Sequence, residues 1–91
     1  MPVLSWRETA RADLLTIVGY IADDNPDAAQ ELKDEIEAKV SELARFPKMY
    51  KFGRVAGTRE MIIRTNFIVV YAEDADTVCV LRVLHAAQLW P

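Results

Sequence analysis

Two apolar stripes at helical spacing, divided by a single strong helix start, decide most of what this chain can fold into. Ala10, Leu14, Ile17 and Ile21 step by four, three and four residues, and Val18 widens the same face. That period puts them on one side of an α-helix running from about Glu8 to Asp23. Asp23 and Asp24 then bring negative charge to the negative end of the helix dipole, so the helix is expected to end there. Asn25-Pro26-Asp27 starts a new one. Asparagine caps the free backbone N–H groups, proline suits the first helical position, and aspartate complements the positive dipole end. Ala29, Leu32, Ile36, Val40 and Leu43 make the second stripe, which is expected to reach about Phe46 before Pro47 stops it. So short a connection predicts an antiparallel helical hairpin.

The apolar faces of that hairpin need a partner layer, and the rest of the chain supplies one. Met61-Ile62-Ile63, Phe67-Ile68-Val69-Val70-Tyr71 and Val78-Cys79-Val80-Leu81-Arg82-Val83-Leu84 are rich in β-branched and aromatic residues. Thr65-Asn66 and Asp74-Ala75-Asp76 separate them at hairpin distance. The last run is apolar at nearly every position, as expected of a central strand at least partly covered on both faces. Val3-Leu4-Ser5-Trp6 reads as one more short strand. The expected fold class is therefore α+β: a short N-terminal strand, an antiparallel helical hairpin, and a three-strand antiparallel meander.

Ninety-one residues correspond to one domain, spanning 1–91, and 52% hydrophobic with 27% charged residues excludes disorder. The single cysteine, Cys79, cannot form an internal disulfide. No uncharged apolar stretch approaches the roughly 18 residues of a membrane span. The N-terminus lacks the basic-then-apolar order of a signal peptide, so the expected compartment is the cytoplasm. A formal net charge of −3 argues against a chain coated for gripping nucleic acid. The average hides a split, however. Residues 1–46 carry five bases against ten acids, and residues 47–91 carry six against four. Between Arg45 and Arg64 there are six bases and one acid, Glu60.

An ordered set of segments carries a family likeness over nearly the whole chain. These are Ala12 to Ile21, Asn25-Pro26-Asp27-Ala28-Ala29, Gly57-Thr58-Arg59-Glu60-Met61, Phe67-Ile68-Val69-Val70-Tyr71 and Val80-Leu81-Arg82-Val83-Leu84-His85. Together they resemble the RelE/ParE superfamily of bacterial toxins. The resemblance implies the toxin of a type II toxin–antitoxin module, bound by a co-encoded antitoxin in a hetero-oligomer. The superfamily has two branches on a shared fold: RelE-like members cut messenger RNA on the ribosome, and ParE-like members poison DNA gyrase. The strand arginine of RelE-like ribonucleases corresponds here to Ile68, and no tyrosine follows Tyr71. The long hairpin and the Arg82-Val83-Leu84-His85 close are nearer to ParE-like members. A ribosome-dependent endoribonuclease, and a non-toxic member kept for antitoxin binding, are the alternatives.

His85, the only histidine, could move a proton in an RNA-cleaving site, or could simply fix a strand end through one hydrogen bond. Glu60 beside Arg59 reads as a solvated strand residue or a charge partner, and Tyr50 and Tyr71 as packing residues. Cys79 reads as inert core. Lys48, Lys51, Arg54, Arg59, Arg64 and Arg82 are the candidate target-binding residues, because cations improve encounter and grip at gyrase–DNA or ribosomal RNA. Leu89 and Trp90 are candidate antitoxin contacts, expected to be exposed together. One histidine, one cysteine and scattered acids offer no metal spacing, and nothing calls for a cofactor.

Overall fold

The computed structural model describes residues 2–91. In chain order the elements are β1 (Val3–Trp6), α1 (Glu8–Ala22), α2 (Pro26–Glu42), β2 (Arg59–Ile63), β3 (Phe67–Glu73) and β4 (Thr77–His85). The Asn25 side chain accepts a hydrogen bond from the Ala28 N–H, so α2 begins at the cap the sequence supplies. It ends four residues earlier than expected. The Leu43 N–H bonds to the Val40 carbonyl, tightening the last turn to i→i+3 spacing, and Pro47 lies just beyond.

The four strands form one sheet in the order β1-β4-β3-β2. β2–β3 and β3–β4 pair antiparallel, as the hairpin spacing predicts, and β1 joins β4 in parallel. The helical hairpin therefore carries the chain from one sheet edge to the other. Leu14, Leu32, Ile36, Val40 and Leu43 pack with Met61, Ile63, Val69, Tyr71, Val80 and Val83 in one buried core, with Ile17 and Ile21 at its margin. The opposite face of the sheet carries a smaller cluster, Ile68, Val70 and Leu84. β3, buried at every position from Phe67 to Tyr71, is more thoroughly covered than β4, whose burial alternates.

Two local departures shape β4 and its neighbour. Tyr71 pairs with Val80 and Val70 with Arg82, so Leu81 is an extra residue and β4 bulges there. In the β2–β3 turn, Arg64 and Thr65 both take left-handed φ, 54° and 61°. Asn66, better suited to that region, sits one residue later.

β1 pairs only as far as Val80, leaving the rest of the β4 edge bare of a strand. α1 covers it. The Thr9 hydroxyl donates to the Leu81 carbonyl at 3.0 Å, and Asp13 Oδ2 accepts from the Val83 N–H at 3.0 Å. These two side chains, one helical turn apart, satisfy groups that a further strand would otherwise pair.

Candidate functional site

The connection between α2 and β2 carries three of the six candidate cations, and the sheet fastens it at several points. The Tyr71 hydroxyl donates to the Pro47 carbonyl at 2.8 Å, and Arg59 Nη1 donates to the Tyr50 carbonyl at 2.7 Å. The Glu60 N–H donates to the Lys51 carbonyl, the Gly53 N–H to the Thr58 carbonyl, and Phe52 forms an antiparallel bridge with Arg59. A Cβ at position 53 would overlap Thr58 Oγ1 and crowd the Glu60 carboxylate, so only glycine allows this approach.

Glu60 is the knot of the arrangement. Only 5% exposed, its carboxylate accepts from the Arg54 backbone N–H at 3.0 Å and from the Arg54 guanidinium at 3.1 and 3.2 Å. Burial raises its pKa, but the Arg54 hydrogen bonds and charge outweigh that and hold it below the usual 4.5. Of the two readings the sequence left open, Glu60 is thus the charge partner. Tyr71 is pushed up to about 12, chiefly by burial, with Arg59 opposing and Glu73 reinforcing the shift.

The six cations do not form a single surface. Lys48 and Lys51 are exposed and, among the described residues, make no ion pair. Arg54 is half-exposed over Glu60. Arg59, a candidate target contact at the start of β2, is only 13% exposed. It pairs with Glu73 at 3.3 Å and lies 4.3 Å from the Phe52 ring centroid. Arg64 sits in the β2–β3 turn and pairs with Glu35 at 2.7 Å. Arg82 pairs with Asp13 at 2.7 Å, its two nitrogens meeting both carboxylate oxygens, and this holds its pKa above the usual arginine value. Three arginines are therefore committed to strand–strand, strand–helix or turn–helix contacts.

His85 lies away from the lysines. It pairs in register with Phe67, whereas Arg59 pairs with Tyr71 four residues along β3, a separation of about 13 Å. Its ring stands edge-on to Phe67 with centroids 5.7 Å apart, and its Nδ1 accepts from the Ala87 N–H at 3.1 Å. Beside it runs an apolar groove of about 340 Å³, lined by Thr16, Ile17, Tyr20, Ile21, Phe67 and His85. Tyr20 is 81% exposed at its rim.

After β4 the chain turns through the Gln88 side chain, which accepts from the His85 N–H. Leu89 is almost fully exposed, as expected. Trp90 is not. It packs on Ile68, Val70 and Leu84, with the Arg82 guanidinium 5.7 Å from its ring, because that sheet face has no helix to cover it. Its Nε1 is buried without an acceptor. Sequence reasoning missed Asp13, Thr9 and Tyr20. Thr9 and Asp13 stand four apart on α1, which was their only local signal. Among the described residues no group of three or more His, Cys, Asp and Glu side chains could hold a metal, and no helix is long and apolar enough to cross a membrane.

The sequence also matches known proteins over nearly its full length. The profile of the ParE toxin of type II toxin–antitoxin systems, parDE, matches residues 4–90. A Sinorhizobium fredii protein named "Putative toxin Y4kP" is 36% identical over 89 residues, covering 97% of this chain and 92% of that protein. Among solved structures, the chromosomal ParDE toxin–antitoxin system of P. aeruginosa superposes with a TM-score of 0.83 at 21% identity. That match covers 93% of this chain and 96% of the other. A conserved hypothetical protein of Helicobacter pylori, HP0894, superposes at 0.62 and 18% identity over 99% and 100% of the two chains. The two structures share the fold, with its short strand, helical hairpin and three-strand meander. With the profile spanning β1 to Trp90, the chain belongs to the ParE toxin family of type II toxin–antitoxin systems.

Proposed function

We propose that this chain is a cytoplasmic toxin that binds DNA gyrase and stops replication, without catalysis of its own, until a co-encoded antitoxin neutralises it. The separation of His85 from the basic loop carries this reading. RNA cleavage needs a base, an acid and phosphate-binding cations around one atom group. Here His85 stands about 13 Å along β3 from the register position that anchors the loop. Arg59 and Arg82, the arginines best placed on strands, are held by Glu73 and Asp13. A protein-binding inhibitor needs only a shaped and charged surface, and Lys48, Lys51 and Arg54 provide one on a firmly tethered loop.

The antitoxin, in this reading, takes the other end of the sheet. The groove beside Tyr20 and Phe67 is almost wholly apolar, and the exposed Leu89 follows the same end of β4. An apolar groove with an exposed leucine at the same end of the sheet suits insertion of an apolar antitoxin side chain, in a hetero-oligomer of toxin and antitoxin.

Induction in cells tests the reading directly. DNA-damage signalling with filamentation, and inhibition of supercoiling by purified gyrase, are the expected results. Rapid translation arrest with cleaved messages would overturn it in favour of a ribonuclease, and unimpaired growth would mark a non-toxic antitoxin-binding protein.

A further inference from the structure

The tethered loop has a period of three. Positions 47, 50 and 53 turn inward, and the two residues between each of them are exposed from Arg45 to Arg54. The sequence follows the same count. Along the sequence, Arg45, Lys48, Lys51 and Arg54 make one exposed row, and Phe46, Met49 and Phe52, also exposed, make a second interleaved with it. Their exposures, 50%, 57% and 76%, make this the densest run of exposed large apolar side chains in the described chain. Each inward residue is fixed: Pro47 by Tyr71, Tyr50 by Arg59 and the core, and Gly53 by Thr58. The two rows are thus presented already ordered, which lowers the entropic cost of binding.

We infer that these rows form a docking surface for an acidic segment of the target protein, one that carries apolar side chains among its carboxylates. The inference rests on the proposed inhibition of a protein target and adds the chemistry of the contact. Charge complementarity supports the acidic half: no acid occurs between Arg45 and Arg59, and Lys48 and Lys51 have no partner among the described residues. The apolar row supports a protein, since adjacent exposed Phe, Met and Phe side chains gain most by burial against other apolar groups.

Single-stranded nucleic acid also combines negative charge with flat apolar surface, and two observations weigh against it. Base stacking needs free ring faces, but the Arg59 guanidinium covers one face of Phe52 at 4.3 Å and Arg45 lies 5.5 Å from the Phe46 centroid. A long polyanion must also pass the ten acids of residues 1–46, whereas a short segment within about 8 Å, the screening length at physiological salt, feels mainly the local cations.

The test uses the whole chain, DNA-free gyrase, the antitoxin and a twelve-nucleotide oligothymidylate. One variant removes the apolar row (Phe46→Ser, Met49→Ser, Phe52→Ser) and keeps every charge. The other, Lys48→Gln with Lys51→Gln, removes two cations and keeps the apolar row. Both should melt like the parent chain. Each should lose about tenfold or more in affinity for gyrase while keeping antitoxin affinity, and the oligonucleotide should not bind. Wild-type gyrase affinity in the apolar-row variant would overturn the inference. So would competition by the oligonucleotide, or a loss of antitoxin affinity instead. If the parent chain does not bind gyrase, the gyrase reading fails by itself, and the same variants are scored by growth inhibition. Loss of toxicity in both then upholds the surface for another protein target, and full toxicity of the apolar-row variant overturns it.

Discussion

Asp13 on α1 accepts a hydrogen bond from the Val83 N–H at 3.0 Å while holding the Arg82 guanidinium at 2.7 Å, so one carboxylate both closes a sheet edge and pairs a charge. Asp13→Ala leaves a backbone donor without its acceptor and an arginine without its partner. Arg82 is one-third exposed and can turn to water, so the N–H is the larger loss. The expected cost is about 1–3 kcal/mol. For a chain of this size that lowers Tm by roughly 10 °C. Asp13→Asn keeps one oxygen for Val83 and should cost visibly less in the same melting experiment. Equal costs would assign the effect to the ion pair alone.

Thr65 offers a gain in place of a loss. A β-branched residue at φ 61° is strained, because its Cβ crowds the backbone in the left-handed region. Its hydroxyl donates a 3.2 Å hydrogen bond to Asn66 Oδ1 at an exposed turn. Thr65→Gly should therefore stabilise the domain by about 1 kcal/mol, the usual left-handed penalty less the added freedom of the unfolded chain. Denaturant midpoints of the two proteins measure it, and a destabilised variant would mean that the hydroxyl contact outweighs the strain.

The helical hairpin was legible because its information is local. Leu14, Ile17, Ile21, Leu32, Ile36, Val40 and Leu43 repeat at helical spacing, and all seven meet the core. The three antiparallel strands were legible for the same reason, each lying one turn from the next. What the sequence hid is non-local. The arginine partners lie 14, 29 and 69 residues away, for Arg59, Arg64 and Arg82 respectively. No periodicity carries such pairings, so a run of cations looked freer than it is. The parallel pairing of β1 was hidden too, since four residues alternating in burial fit either edge of a sheet. Trp90 left a partial signal: β3 is apolar at five consecutive positions, which requires cover on both faces, but not which residues provide it.

Tyr71 ties the basic loop to the sheet, and its ionisation should release it. The phenol is fully buried, donates to the Pro47 carbonyl, and has its pKa pushed up from 10.0 to about 12. A raised value means that the folded state holds the proton more tightly than the unfolded chain. This contribution to stability is complete below pH 10 and is lost as pH rises through about 12. Tyr71→Phe removes both the bond and the titration. The variant should be about 1 kcal/mol less stable at pH 7, and the gap should close above pH 10. A gap near zero at pH 7 would show that Tyr71 acts through ring packing alone, and a gap that stays constant to pH 12 would show that folding leaves its ionisation unchanged.

Glu60 gives the opposite pH dependence at the same loop. Its carboxylate lies below the usual value of 4.5 because the Arg54 N–H and guanidinium outweigh the effect of burial. The unfolded chain therefore takes up a proton first as pH falls. The stabilisation is complete above about pH 4.5 and is lost as pH drops through the lower, folded-state value. Glu60→Gln keeps the shape and one oxygen for the Arg54 N–H but gives up the charge. Because Arg54 is nearly half-exposed, the cost at pH 7 should stay near 1–2 kcal/mol, well short of that for breaking a fully buried pair. Acid unfolding curves of the two proteins should converge once the pH has fallen below the depressed folded-state value of Glu60. Toxicity measured beside them separates the two roles of the loop. If Glu60→Gln is folded at pH 7 yet no longer inhibits growth, the carboxylate acts by holding Arg54 and the neighbouring lysines in their exposed row. If inhibition is unchanged, the remaining tethers through Tyr71 and Arg59 are enough to present it.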